Sequence, residues 1–290
     1  MERYFKTILV PIDFSESSKY VISQAINFAK TLNTSITLYH VIEENNMITK
    51  FLFDGSTEKL IASVKEKLEE LANEYRKKSK ITIETLVDKG KVYTKISEFA
   101  DQTMASLVLI GRNSSDSSDE KRYIGANASR IVRETKCPVI SYLSAGEDKK
   151  DCKKIVLPLD LTKQTKQKVN KAIEIAKIFG ATIKVVSALI TSDQDIYEQL
   201  KSQIEEVKRY IEERSIYCTS EIVRDEFGTK SSLSQMIVDY AELADADLIM
   251  IMTQQEKNWV KFFVGSAAQE IMRNSTIPVM SIIPDVFVVD

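Results

Sequence analysis

Short apolar runs alternate along the chain with longer stretches whose apolar residues recur every three or four positions. Ile8 to Ile12, Ile36 to Ile42, Ile81 to Val87, Leu107 to Ile110 and Val139 to Leu143 are four to seven residues long and rich in apolar side chains. Such runs predict strands buried on both faces. Between them, Val21, Ile22, Ala25, Ile26, Ala29 and Leu32 fall on one helical face, and Leu60, Ile61, Val64, Leu68, Leu71 and Tyr75 form the stripe of a longer, otherwise charged helix. Ile96, Phe99, Ala100 and Met104 mark a third helix, and a short fourth ends before Cys137-Pro138. Ser15 or Ser17 is placed to cap the first helix. Asp88-Lys89-Gly90 predicts a turn after the third strand. Strands alternating with helices predict a parallel sheet covered on both faces, and right-handed crossovers restrict it to a doubly wound α/β sandwich.

The pattern then repeats. Ile8-Leu9-Val10-Pro11-Ile12-Asp13-Phe14-Ser15 aligns without a gap on Ile155-Val156-Leu157-Pro158-Leu159-Asp160-Leu161-Thr162. The register continues, with Ala25, Ile26, Ala29, Lys30 and Ile36 meeting Ala172, Ile173, Ala176, Lys177 and Ile183. The second half has its own long helix (Ile196, Leu200, Ile204, Val207, Ile211) and third helix (Leu233, Met236, Ile237, Tyr240). The repeating unit is a whole domain, so the period is too long for a solenoid. The polar stretch from Ser144 to Lys154 reads as the linker, predicting one domain over residues 1–144 and another over 153–290.

The fourth strand, Leu107 to Ile110, leads to Gly111, a polar loop, Gly125 and a short helix. Glycines at a strand exit and a helix entry allow the backbone to approach an anion, which the free N–H groups and positive dipole end of the helix favour. The second half repeats this layout from Leu248 to Val279 with Gly265-Ser266 at the helix entry, but Met252 stands where Gly111 stood.

Composition narrows the classes of function. Over 290 residues, 40 basic and 42 acidic side chains give a net charge of −2, without the basic excess that drives nucleic-acid binding. No apolar run is long enough to span a bilayer as a helix. The N-terminal residues lead straight into a strand, which predicts no secretory leader. Three cysteines without metal-type spacing fit a reduced, cytoplasmic setting. A Walker phosphate loop, Gly-x-Gly-x-x-Gly after the first strand, His-Glu-x-x-His and Cys-x-x-Cys are all absent from the sequence. The single histidine, His40, has no evident nucleophile partner and is expected to serve packing, so no catalytic residue and no metal ligand is predicted.

The strand ending in Pro-x-Asp in both halves (Pro11 and Asp13; Pro158 and Asp160), Tyr39-His40-Val41, Phe262-Phe263-Val264-Gly265-Ser266, and the closing Cys-Pro-Val and Ile-Pro-Val resemble the universal stress protein (UspA-like) family in its tandem form. The resemblance covers nearly the whole chain. It implies two five-stranded parallel sheets of order 3-2-1-4-5, the adenine nucleotide alpha hydrolase-like arrangement. The ligand crevice would lie between strands one and four, where the winding reverses. It also implies an intramolecular pseudo-dimer joined through the fifth strands, an association that covers sheet edges, with a homodimer as a further state.

ATP-binding members of that family carry Gly, two residues, Gly, nine residues, then Gly with Ser or Thr. Here the first half has Gly111, Ser114, a loop one residue longer, and Gly125-Ala126; the second keeps the spacing and Gly265-Ser266 but has Met252 and Gln255 for the first two glycines. Transferred position by position, an adenine nucleotide, ATP with Mg²⁺, would bind the first half at Asp13, Val41, Gly111, Ser114 and Gly125. Asp13 and Asp160 read equally as carboxylates at the start of a helix-capping loop, and Val41, as a strand residue, reads first as core. The tract from Asn113 to Glu120 reads as a solvated loop whose acids repel a triphosphate; Lys121, Arg122 and Arg130 offset them. The expected function is regulatory or protective binding in a stress response, with an unidentified protein partner and no nucleic acid or membrane. The rivals are an ATP-binding switch with slow hydrolysis in the first half, and a nucleotide hydrolase or transferase on the same fold.

Overall fold

The computed structural model describes residues 7–43, 57–112, 124–143, 152–160, 165–225, 232–253 and 266–283. The tract from Asn113 to Glu120, the aromatic run before Gly265, and the tail after Pro284 lie outside the described residues. The chain forms two compact units.

The first unit contains β1 (Thr7–Pro11), α1 (Glu16–Leu32), β2 (Ser35–Ile42), α2 (Thr57–Ser79), β3 (Ile83–Lys89), α3 (Val92–Gln102), β4 (Leu107–Arg112), α4 (Ala126–Glu134) and β5 (Val139–Leu143). All four strand pairings are parallel: β1 with β2, β2 with β3, β1 with β4, and β4 with β5. The order is therefore 3-2-1-4-5, and the winding reverses between β1 and β4. The core sits on the central strands, where Ile8, Leu9, Val10, Val108 and Leu109 are completely buried. Each such side chain contributes roughly 1.5–3 kcal/mol relative to exposure.

Local chemistry sets the element ends. Of the two candidate serines, Ser15 caps α1: its hydroxyl accepts the Ser18 N–H at 3.2 Å. Asn33 ends α1 in the left-handed conformation (φ 49°), which asparagine tolerates better than most residues. The third strand lies two residues later than the apolar pattern predicts. Lys80 has φ 58° and stops α2, and Asp88 and Lys89 still pair with Val41 and Ile42, so the turn comes only at Gly90 (φ 145°). The stripe of α2 is mostly half-buried, with Leu68 and Ala72 its fully buried members. That helix lies over β2 and β3, toward the margin of the sheet.

The second unit repeats the plan with β6 (Lys154–Pro158), α5 (Thr165–Phe179), β7 (Thr182–Leu189), α6 (Gln194–Glu212), β8 (Cys218–Arg224), α7 (Leu233–Leu243), β9 (Leu248–Met252), α8 (Ser266–Asn274) and β10 (Val279–Ile282). Its pairings are again parallel, with β6 between β7 and β9, β8 outside β7, and β10 outside β9. The duplication extends to single hydrogen bonds. Ser106 N–H donates to Thr7 O and Asp247 N–H to Lys154 O, each at 2.9 Å; Val108 donates to Pro138 O and Ile249 to Pro278 O, each at 3.0 Å.

Gly111 shows why one glycine is needed within β4. A Cβ there would stand 2.1 Å from the Ser17 hydroxyl oxygen and 3.0 Å from the Ser17 Cβ. The missing side chain lets the first turn of α1 rest on the strand. Gly111→Ala is expected to destabilise the chain by about 1–3 kcal/mol, the usual range for overpacking. Ser17→Gly should recover part of that loss in the double variant. Gly125→Ala, where a Cβ meets nothing within 4 Å, should change denaturant stability little.

Candidate functional site

The reversal between β1 and β4 opens a cavity of about 290 Å³ at the carboxyl ends of the strands. Asp13, Val41, Gly111 and Gly125 all line it, with Tyr39, Ile96 and Ile110 among the apolar walls. Four of the five residues expected at the site thus meet in one place; Ser114 lies outside the described residues.

Each arrives by a separate route. Asp13 follows β1 in the loop before α1, where its Oδ1 accepts the Ser15 N–H at 3.0 Å and the Ser15 hydroxyl at 2.5 Å. The carboxylate therefore braces the capping serine as well as facing the cavity. Val41 is buried on β2. Gly111 forms the wall where α1 and β4 touch, and the Ser17 hydroxyl donates to the neighbouring Arg112 carbonyl at 3.3 Å. Gly125 is the N-cap of α4 and supplies no side-chain cap. The first N–H groups of α4 have no acceptor within the helix, and the space in front of Gly125 is open. That space is where an anion would sit.

The surroundings temper this attraction. Asn127, in the first turn of α4, donates through its side-chain amide to Glu43 Oε1 at 3.5 Å, which brings a carboxylate to the positive end of the helix. Arg130 lies with its guanidinium 4.7 Å from the Tyr93 ring centroid, engaged toward α3. Lys121 and Arg122 lie outside the described residues.

The loop between β1 and α1 is held tightly. Ile12 N–H donates to Tyr39 O at 2.9 Å, and His40 Nδ1 lies 2.7 Å from Ile12 O. A carbonyl only accepts, so Nδ1 carries the proton. Burial holds the imidazole below its ordinary 6.5, against the opposing pull of that hydrogen bond. Phe14 has φ 64°, a conformation costing a non-glycine residue roughly 1–2 kcal/mol. Its ring packs 4.9 Å from the His40 ring, and the Lys67 ammonium stands 4.6 Å from its centroid. Behind the cavity wall, Tyr39 OH donates to Asp88 Oδ2 at 3.1 Å, and Lys95 pairs with the same oxygen at 3.1 Å.

The second half carries different chemistry at the matching positions. Met252 is buried at the end of β9; Gln255 and Gly265 lie outside the described residues. In the gapless register Lys168 occupies the place of Val21. It is only 7% exposed, and its ammonium donates to Pro158 O at 2.7 Å, at the carboxyl end of β6. Asp160 acts on it electrostatically. A lysine on an otherwise apolar helical face was visible in the sequence, but only comparison with the first half marks it as out of place. The thiols are placed for packing: burial pushes Cys152 and Cys218 up to about 12, leaving them protonated and unreactive near neutrality.

Burial lowers the Lys168 ammonium below its ordinary 10.5. The unfolded chain then binds the extra proton between the folded value and 10.5, so this residue's contribution to stability rises with pH across that window. Lys168→Met is expected to be more stable than the parent chain at pH 7, and the difference should narrow toward pH 10. Denaturant titrations at a series of pH values measure it.

Comparisons with known proteins agree with this geometry. The model of the Universal stress protein family matches residues 4–141 and again 152–282. A universal stress protein of Methanocaldococcus jannaschii is 26% identical over 142 residues, which is 48% of this chain and 82% of that protein. Among solved structures, a universal stress protein from Archaeoglobus fulgidus superposes with a TM-score of 0.73 at 18% identity, covering 98% of both chains. A functionally unknown protein from Pseudomonas aeruginosa gives 0.66 at 16%, covering 96% of this chain and 92% of its own.

Proposed function

The chain belongs to the universal stress protein family, in two consecutive copies, and from that premise we propose that its first half binds an adenine nucleotide weakly and without turnover, as a regulatory or protective protein of the stress response. The observation that carries this reading is the convergence of Asp13, Val41, Gly111 and Gly125 on one cavity with an open helix N-terminus. A nucleotide fits the residues present. The apolar walls suit a base, Asp13 lies within the same cavity for a sugar hydroxyl, and a phosphate would occupy the space in front of Gly125. Among the described residues no group of His, Cys, Asp or Glu side chains is arranged to hold a metal ion. Mg²⁺ would arrive on the phosphates, its usual mode of binding.

Binding without turnover follows from how the polar groups are engaged. The Asp13 carboxylate holds Ser15 through both its N–H and its hydroxyl, with that hydroxyl also capping α1, and His40 is engaged by the Ile12 carbonyl, so among the described residues these groups are read as structural rather than as a nucleophile with its base. Weakness follows from Glu43 beside the α4 N-terminus and from the non-glycine residue at position 114. The second half is read as a non-binding copy, since Met252 stands where the first half has Gly111.

Isothermal calorimetry with ATP and Mg²⁺ tests the reading. A dissociation constant of about 0.1–1 mM is expected, equivalent to roughly −4 to −5.5 kcal/mol. Gly125→Val should abolish the heat, and Gly265→Val should leave it. Glu43→Gln should tighten binding by about twofold to fivefold, the scale of one charge at a helix terminus. No heat at millimolar nucleotide, or a loss through Gly265 instead of Gly125, overturns the proposal.

A further inference from the structure

His40 touches both neighbours of Asp13. Its Nδ1–H reaches the Ile12 carbonyl at 2.7 Å, and its ring packs 4.9 Å from the ring of Phe14. Ile12 thereby has both backbone groups fastened to β2, its N–H by Tyr39 O at 2.9 Å and its carbonyl by the imidazole. Pairing of β1 ends at Pro11, so these are the contacts that carry the strand's course into the loop. Phe14 then turns with positive φ, and the Lys67 ammonium stands over its ring. Asp13, between the two, receives Ser15 and faces the cavity.

The second half supplies an independent view of the same device. Ser187 occupies the register position of His40, and its hydroxyl donates to Leu159 O at 2.9 Å. Leu159 N–H meets Val186 O at 2.8 Å, as Ile12 meets Tyr39. Imidazole and hydroxyl share little except a hydrogen-bond donor at this reach. The duplicated position thus preserves a donor to the carbonyl that follows the first strand's proline, Ile12 in one half and Leu159 in the other.

We propose that His40 is a positioning residue, a latch from β2 onto the Ile12 carbonyl that holds the loop so that Asp13 meets the ligand. The ligand in this statement rests on the nucleotide reading above; the latch itself is a property of the unliganded chain. It acts through a bond present without ligand, so it is measurable without one.

The experiment uses the full chain with His40→Ala and His40→Ser, the second borrowing the side chain found at position 187. Hydrogen exchange followed by mass spectrometry reads the peptide spanning residues 9–20 without ligand, and calorimetry reads ATP with Mg²⁺. His40→Ala should speed exchange in that peptide and weaken ATP binding, each by about tenfold, the worth of one hydrogen bond. His40→Ser should restore most of both. In an Asp13→Ala background, His40→Ala should cost no further affinity, because the two act as one unit. Unchanged exchange in His40→Ala overturns the latch. So does a His40→Ser variant no better than His40→Ala, or exchange accelerated equally in β4 and β5, which marks general loosening. If the exchange pattern appears as expected while the parent chain binds no ATP, the latch stands and the nucleotide reading falls.

Discussion

The contact between Ser17 and Gly111 is the constraint on which the first half's site depends. A helix following β1 has to lie close to β4 for the sheet to reverse its winding there, and a side chain on residue 111 would collide with the Ser17 hydroxyl. With that contact made, the carboxyl ends of β1 and β4 part above it, and the N-termini of α1 and α4 face a common space. Gly111 therefore serves the packing of α1 on β4. Gly125 meets no neighbour and is under no such pressure, so its value lies in the open space it leaves at a helix end.

The two halves show how a duplicated fold separates structure from chemistry. Backbone features that build the sheet are kept nearly bond for bond, including the hydrogen bonds from residues 106 and 247 and from 108 and 249. The donor on the second strand is kept too, as His40 in one half and Ser187 in the other. What differs is the crevice. Glycine becomes Met252, and a core valine becomes a lysine that must find a partner where water does not reach. An ammonium so placed is tolerated because Pro158 O accepts from it and Asp160 acts on it from nearby. A buried charge with such partners holds its place without adding much net stability.

The charges around the first cavity are mostly turned to local tasks. Asp13 braces the α1 cap, Lys67 covers Phe14, Lys95 answers Asp88, and Arg130 lies on Tyr93. A site whose charged groups already have partners contributes shape and helix-end dipole more than free charge.

The sequence by itself determined the architecture: the alternation of apolar runs and helical stripes, the duplication, the strand order through the resemblance, and the meeting of Asp13, Val41, Gly111 and Gly125. Such features are periodic or local, and periodicity follows directly from the geometry of a helix or a buried strand. Only the tertiary structure decided what each residue spends its bonds on. No spacing shows that Gly111 makes room for Ser17, that His40 holds the Ile12 carbonyl, that Phe14 turns left-handed, or that Glu43 reaches Asn127. Each of these joins elements far apart in the chain or depends on a single backbone angle. The third strand shows the same limit in small: its apolar run begins at Ile81, but the left-handed Lys80 and the pairing with β2 moved the strand to Ile83–Lys89. Pattern locates the elements, and contacts across the fold set their ends and the work of their side chains.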